Sequence, residues 1–463
     1  MKKRVLKPES ARKNASPEQI QMYVEKLKKM IDCKTVFKRN GENDASFQKF
    51  YQVVEENFPL LTSKAEKLTF GTGCFFYIIK GHRAHKNVLL MSHHDVVEGT
   101  DGWDSDPFCA VEKDGALYGR GTVDTKTPLF AEMQAVEELL EDNWIPEGFD
   151  LYIGSSNNEE VCGDGMVLAV KWFLEKNIRF DVVLDEGGAV TSGMIPGWSG
   201  KSAMIAVHEK SRHMYRCHVS LDRKGHGGLN PDDENAIMCL SGFMQEVEKK
   251  KKKIFKSKFY PEVRATFETH APYMSFPMNI LFGHLGIFAP IIKKIMMTIP
   301  PARAMLASSA VFTTITAGSS LDPQIKAKEA SSTLFVRCIR EEDMEEEMEK
   351  IRKIAEKYGV EITLMERDYC RPSSFTSKQF EILEEVLAED MPDVVSAPFL
   401  LTAGTDARRF TDIAEAILRF APIDLDPARF ASVHGDNENI GIENIGQCVC
   451  VYKDFIRRYE EEI

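Results

Sequence analysis

The sequence predicts an α/β protein with an α+β domain inserted into it, and three observations carry that prediction. Short apolar runs alternate with segments of helical periodicity, the pattern of a sheet covered by helices. Several of these runs end in His, Asp or Glu, as strands do at the rim of an α/β site. From about 211 to 368 the pattern changes to alternating strands and amphipathic helices, and then the first pattern resumes. The expected division is an outer domain from 1–210 and 369–463 and an inserted domain from 211–368.

In chain order, residues 17–58 have helical spacing, opened by Ser16-Pro17-Glu18-Gln19, a good helix start. Residues 66–92 have a β pattern that ends in the run Val88-Leu-Leu-Met-Ser-His93-His94-Asp95. In extended chain Asp95 points the same way as His93 and could fix its tautomer. A loop (103–108), a short strand (116–118) and Gly119-Arg-Gly121 lead to Asp124 and a helix through Glu141. Strand 150–154 leads to Asn158-Glu159-Glu160, strand 180–184 to Asp185, and strand 416–420 to a loop with His434 before a last helix at 440–461. The middle holds strands near 211–219, 311–316, 333–339 and 361–365, and helices at 235–252 and 341–358.

The chain has 463 residues, 43% hydrophobic and 28% charged, a soluble globular balance with room for two domains. The net charge of −12 argues against nucleic acid as a partner. The amino terminus is basic but has no apolar h-region, and the ten cysteines form no Cys-x-x-Cys pair, so a cytoplasmic location with reduced thiols is expected. The apolar stretch Met274–Ile291 is broken by Pro277, Asn279, His284 and Pro290. It is a poor membrane span and is expected as a helix pair in the inserted domain's core or at its interface. The lysine run 249–253 is read as a solvated helix end rather than a phosphate or membrane site.

Collected at strand ends are His93, Asp124, Glu159, Glu160, Asp185 and His434. Four carboxylates in one cleft push one another toward protonation unless cations compensate them. Imidazole with carboxylate suits zinc, with cobalt or manganese possible. Two metals sharing one bridging carboxylate would use five of the six groups and leave one as a base.

The segments SHHDVV (92–97), WDSDPF (103–108), GRGTVDTK (119–126), NNEE (157–160), LDEGG (184–188), HEK (208–210), GHGG (225–228), GTDAR (404–408) and HGDNE (434–438) stand in an order that resembles a known family. It is that of the co-catalytic dinuclear zinc metallopeptidases, which includes aminoacylase, glutamate carboxypeptidase, carboxypeptidase S and succinyl-diaminopimelate desuccinylase. The resemblance runs from about residue 18 to 460. It implies a zinc-exopeptidase-like catalytic domain with a ferredoxin-like lid and dimerisation domain. It implies that Asp124 bridges two metals, that His93 and Asp185 complete one site, and that Glu160 and His434 complete the other. Glu159 is then the general base, Asp95 orients His93, and the lid's His226 serves the partner subunit of a homodimer. Arg371 is the implied anchor for a substrate carboxylate, with Arg337 as a second candidate. A cis peptide bond after Asp124 is also implied. The expected reaction is hydrolysis of an amide bond in a small peptide or N-acyl amino acid, Glu159 taking a proton from a water and handing it to the leaving amine. The alternatives are an N-acyl-amino-acid deacylase rather than a peptidase, and a non-catalytic metal-stabilised binding protein, which would have no use for Glu159.

Departures from the family pattern fall outside the ligands and the base. Asn158 replaces an Asp, Glu98 a Pro, Ser211 a Gly and Gly227 a Ser, and an Asn of the lid has no counterpart near Asp322. His208 and His213 are five apart and do not share a helix face, so they are read as a strand entering the lid. His82 and His85 are read as solvated, and Cys162 as a packing residue.

Overall fold

The computed structural model describes residues 4–39, 44–222, 226, 235–318 and 324–462. Its strands are β1 Glu66–Phe70, β2 Cys74–Ile79, β3 Lys86–Met91, β4 Val111–Lys113, β5 Ala116–Tyr118, β6 Phe149–Ser155, β7 Phe180–Asp185, β8 Val190–Ser192, β9 Lys201–Glu209, β10 Ser211–Ser220, β11 Ser309–Ala317, β12 Glu329–Cys338, β13 Glu361–Asp368, β14 Val394–Leu401, β15 Ala414–Arg419, β16 Asp424–Leu425 and β17 Asn439–Gly441.

The large sheet runs β1-β2-β6-β3-β7-β15-β9-β8-β16, with β14 alongside β9. β6, β3, β7 and β15 are mutually parallel, so their carboxyl ends open on one rim. Alternation along β3 covers both faces: Val88 and Leu90 enter one core, Leu89 and Met91 the other. The first core lies under helices Pro17–Ile31, Lys126–Glu141, Lys378–Asp390 and Ile442–Glu462, the second under Gly165–Glu175. Ser16 and Gln19 close a reciprocal cap at the first of these helices, an arrangement worth about 1 kcal/mol.

Within 211–368 a four-stranded antiparallel sheet runs β11-β12-β10-β13. Its chain order, with helices Ala236–Ile254 and Glu341–Lys357 between strands, is the ferredoxin-like β-α-β-β-α-β pattern. On β12, Ala330, Leu334, Val336 and Cys338 face the helices, which turns Arg337 to the opposite side.

The apolar stretch lies outside the core of the lid sheet, one of the two places expected for it. It forms helices Met278–Gly283 and Leu285–Met296. Their buried residues, Phe282, Leu285, Ile292 and Met296, pack with Met204 of β9 and Leu400 of β14 in a cluster separate from that of the lid sheet. Hydropathy marked the stretch as apolar but could not say which neighbour it would meet.

Candidate metal centre and active site

β6, β3 and β7 are neighbours with parallel register, and this brings the loops after them together. His93 follows β3, Glu159 and Glu160 follow β6, and Asp185 ends β7. Asp124 sits just before helix Lys126–Glu141, and the Asp124–Thr125 peptide bond is cis. The Thr125 hydroxyl donates to the His93 carbonyl at 2.8 Å, tying the two loops.

Asp124 stands between two imidazoles. His93 Nε2 is 3.0 Å from its Oδ1, and His434 Nε2 is 2.9 Å from its Oδ2. His434 Nε2 also lies 3.2 Å from Glu160 Oε2. His93, Asp124 and Glu160 offer ligand atoms within 4.8 Å of one another. Each imidazole therefore addresses its own oxygen of one carboxylate. Glu160 Oε1 is buried with no hydrogen-bond partner, a costly arrangement for a charged oxygen and one that suits a cation. Two imidazoles and two carboxylates gathered in this way are a donor set that fits divalent metal ions.

Electrostatics agree. Burial pushes the Glu159 and Glu160 carboxyls above their ordinary range. Burial and Asp406 push Asp185 up to about 7. The two imidazoles hold Asp124 well below its ordinary range against the effect of burial. Hydrogen bonds to Asp124 and Glu160 raise His434 to about 10. Negative charge is in excess, and metal cations would offset it.

Not every expected residue joins this group. Both oxygens of Asp185 already accept backbone N–H groups, from Glu186 and Ala407, each at 2.9 Å. The Asp95 carboxylate is 3.4 Å from His93 Nδ1, whereas the Asp95 main-chain carbonyl is at 2.9 Å. Arg371 is exposed at its own loop, and its guanidinium donates to the Thr411 carbonyl. His226 is exposed, with Nε2 3.1 Å from Gln324 Oε1; Gly225, Gly227, Gly228 and Asp322 lie outside the described residues. Arg337 reaches out of the lid and donates to the Thr402 carbonyl of the outer domain at 2.9 Å.

Three features went unassigned in the sequence. Glu438 Oε1 accepts the N–H groups of Gly121, Val123 and Asp124 at 3.1, 2.7 and 3.1 Å, and its other oxygen pairs with Arg120 at 2.6 Å. It braces the loop that presents Asp124; its place in HGDNE was the available signal. Where the chain passes between domains, Glu209 pairs with Arg419 at 2.6 Å, and Arg408 joins Glu209 to Asp368. A second group, His213, Cys338 and Glu341, lies within the lid. There Arg367 already neutralises Glu341 at 2.9 Å, and burial raises the Cys338 thiol. A cleft of about 470 Å3 lies between the loop after β6 (Asn158, Val161, Cys162) and the lid's Glu366.

The profile of Peptidase family M20/M25/M40 matches residues 89–458. The chain belongs to this family. It is 27% identical over 448 residues to N-fatty-acyl-amino acid synthase/hydrolase PM20D1.1 of Danio rerio, covering 94% of this chain and 85% of that one. It is equally 27% identical over 449 residues to "Probable carboxypeptidase S-like 2" of Dictyostelium discoideum, with the same coverage. Its fold matches the M20 family metallo-carboxypeptidase Sso-CP2 from Sulfolobus solfataricus with a TM-score of 0.66 at 18% identity, over 96% of this chain and 100% of that one. As an M20/M25/M40 protein the chain is a hydrolytic enzyme, cleaving peptide or amide bonds with the help of metal ions. Among the described residues no helix is long and apolar enough to cross a membrane.

Proposed function

We propose that the chain hydrolyses the amide bond of an N-acyl amino acid or small peptide whose released amine carries a free carboxylate. The observation that carries this reading is Asp124 set between His93 and His434, with Glu160 joining one side and Glu159 preceding it in the chain. His93, Asp124, Glu160 and His434, with Asp185 at the end of β7, would hold two divalent ions, zinc before cobalt or manganese. Bound there, divalent ions would supply Lewis acidity toward a water and the scissile carbonyl. Glu159 takes the proton from that water and returns it to the leaving amine; a carboxyl raised by burial suits both steps. Asp95 keeps His93 and the Glu159–Glu160 loop in place.

Arg337 is the better carboxylate anchor of the two arginines, because it reaches from the lid to the outer domain, whereas Arg371 stays within the outer domain on the Thr411 carbonyl. His226 would reach the site of a partner subunit in a homodimer formed through the lid. The lid sheet leaves β11 and β13 as edges, and Val311, Ile315, Leu364 and Met365 on them are exposed, which supports such an assembly. All ten cysteines are free, which fits a reducing compartment such as the cytoplasm.

Hydrolysis of a panel of N-acyl amino acids, their methyl esters and dipeptides tests the reading. Amides whose amine portion carries a free carboxylate are expected to be hydrolysed, and the corresponding methyl esters to be poor substrates. Turnover indifferent to that carboxylate, or no turnover with metal bound, would contradict it.

A further inference from the structure

The helix pair Met278–Gly283 and Leu285–Met296 buries one face and leaves the other bare. Ile287, Ile291 and Ile295 are exposed at 73, 59 and 56%, successive positions four apart on one helix face. Phe276, at 78%, and Ile280 and Ile299 extend this apolar surface beyond the helix ends. Scattered exposed aliphatics need no explanation, but a stripe of this kind does.

Charge identifies what covers it. Lys294 is exposed and lies seven residues beyond Ile287, within the same stripe. Lys293 flanks the stripe, with its ammonium on the Ser257 carbonyl at 3.3 Å. From Thr269 to Leu321 the chain has no Asp or Glu, although it carries 71 in all and a net charge of −12. The segment that forms this apolar face carries lysines and no carboxylate of its own, on an otherwise acidic protein, and so is complementary to an anionic apolar boundary. We propose that this face docks in the plane of an anionic lipid surface, with the isoleucines among the acyl chains and Lys294 at the headgroups. This is surface attachment, not a span, and it does not depend on the hydrolytic reading.

Flotation of the full chain with phosphatidylcholine vesicles, with and without phosphatidylserine, tests the proposal, beside the variants Ile287→Ser/Ile291→Ser/Ile295→Ser and Lys294→Glu. The wild type is expected to float with the phosphatidylserine vesicles. The triple variant should lose about 10-fold or more of that binding, and Lys294→Glu should lose a smaller part. Thermal melts check that the variants fold. Because Lys294 is exposed, its substitution keeps the test open if the triple variant misfolds; an unchanged Lys294→Glu would then count against the proposal. Wild type that stays with the unbound protein at low salt would overturn it, as would a folded triple variant that floats equally well. A wild-type dimer in sedimentation that the triple variant abolishes, without vesicle binding, would assign the face to a second copy instead.

Discussion

Asp95 Oδ2 accepts the backbone N–H of Glu160 at 3.0 Å, while its Oδ1 accepts that of Glu159 at 3.1 Å. One carboxylate thus fixes the loop carrying both the base and a metal-facing residue, and its own main chain holds His93 Nδ1. Asp95→Asn replaces one acceptor by an NH2 facing an N–H donor. We expect metal affinity to fall about 10–100-fold, as for other supports of a metal site, with turnover falling further. Metal titration followed by rate measurement at saturating metal checks this. Unchanged metal binding and rate would show that the loop holds without Asp95.

Arg337 and Arg371 separate by kinetics. Arg337→Ala is expected to raise KM about 10–100-fold for substrates with a free carboxylate and to leave their methyl esters unaffected. Arg371→Ala should change KM by less than about 3-fold. The reverse ranking would make Arg371 the anchor.

For His226 the discriminating experiment is a mixture. His226→Ala and Glu159→Gln are each expected to lose about 10²-fold or more in rate. Mixed and re-equilibrated dimers should regain activity, because one site then combines an intact Glu159 with the partner's intact imidazole. A mixture no faster than its components would confine His226 to its own chain.

Glu347 offers a pH test away from the metal group. It is buried in the lid helix with one oxygen unpartnered, and burial raises its carboxyl to about 7. Its folded value exceeds the unfolded one, so the native state holds the proton longer. Stability is therefore lost as pH rises from the unfolded value through about 7. Glu347→Gln is expected to stabilise the protein by about 1–3 kcal/mol near pH 8 and by much less near pH 5. Melting curves at both values measure it, and an equal effect at both would contradict the assignment.

The rim of the site was legible because its residues stand directly after strands. His93 is two residues beyond β3, and parallel pairing with β6 and β7 then fixes who its neighbours are. The ferredoxin-like lid and the cis bond after Asp124 came from the resemblance rather than from periodicity or composition. What local sequence could not supply were partners chosen by the tertiary fold. Glu438 directs its carboxylate to backbone groups at 121–124, Asp95 divides its oxygens between two N–H donors, and Arg337 is turned outward by the alternation of β12. The stretch at 274–291 shows the same limit, since apolarity does not specify whether a face meets protein or something else.

The central claim is that Glu159 moves the proton while Glu160 belongs to the metal group. The most direct measurement is metal stoichiometry by mass spectrometry together with turnover of an N-acyl amino acid, for wild type, Glu159→Gln and Glu160→Gln. Glu159→Gln is predicted to keep two metal ions and lose about 10²–10⁴-fold in rate, while Glu160→Gln loses affinity for one ion. A Glu159→Gln enzyme that turns over at the wild-type rate with both ions bound would contradict the account.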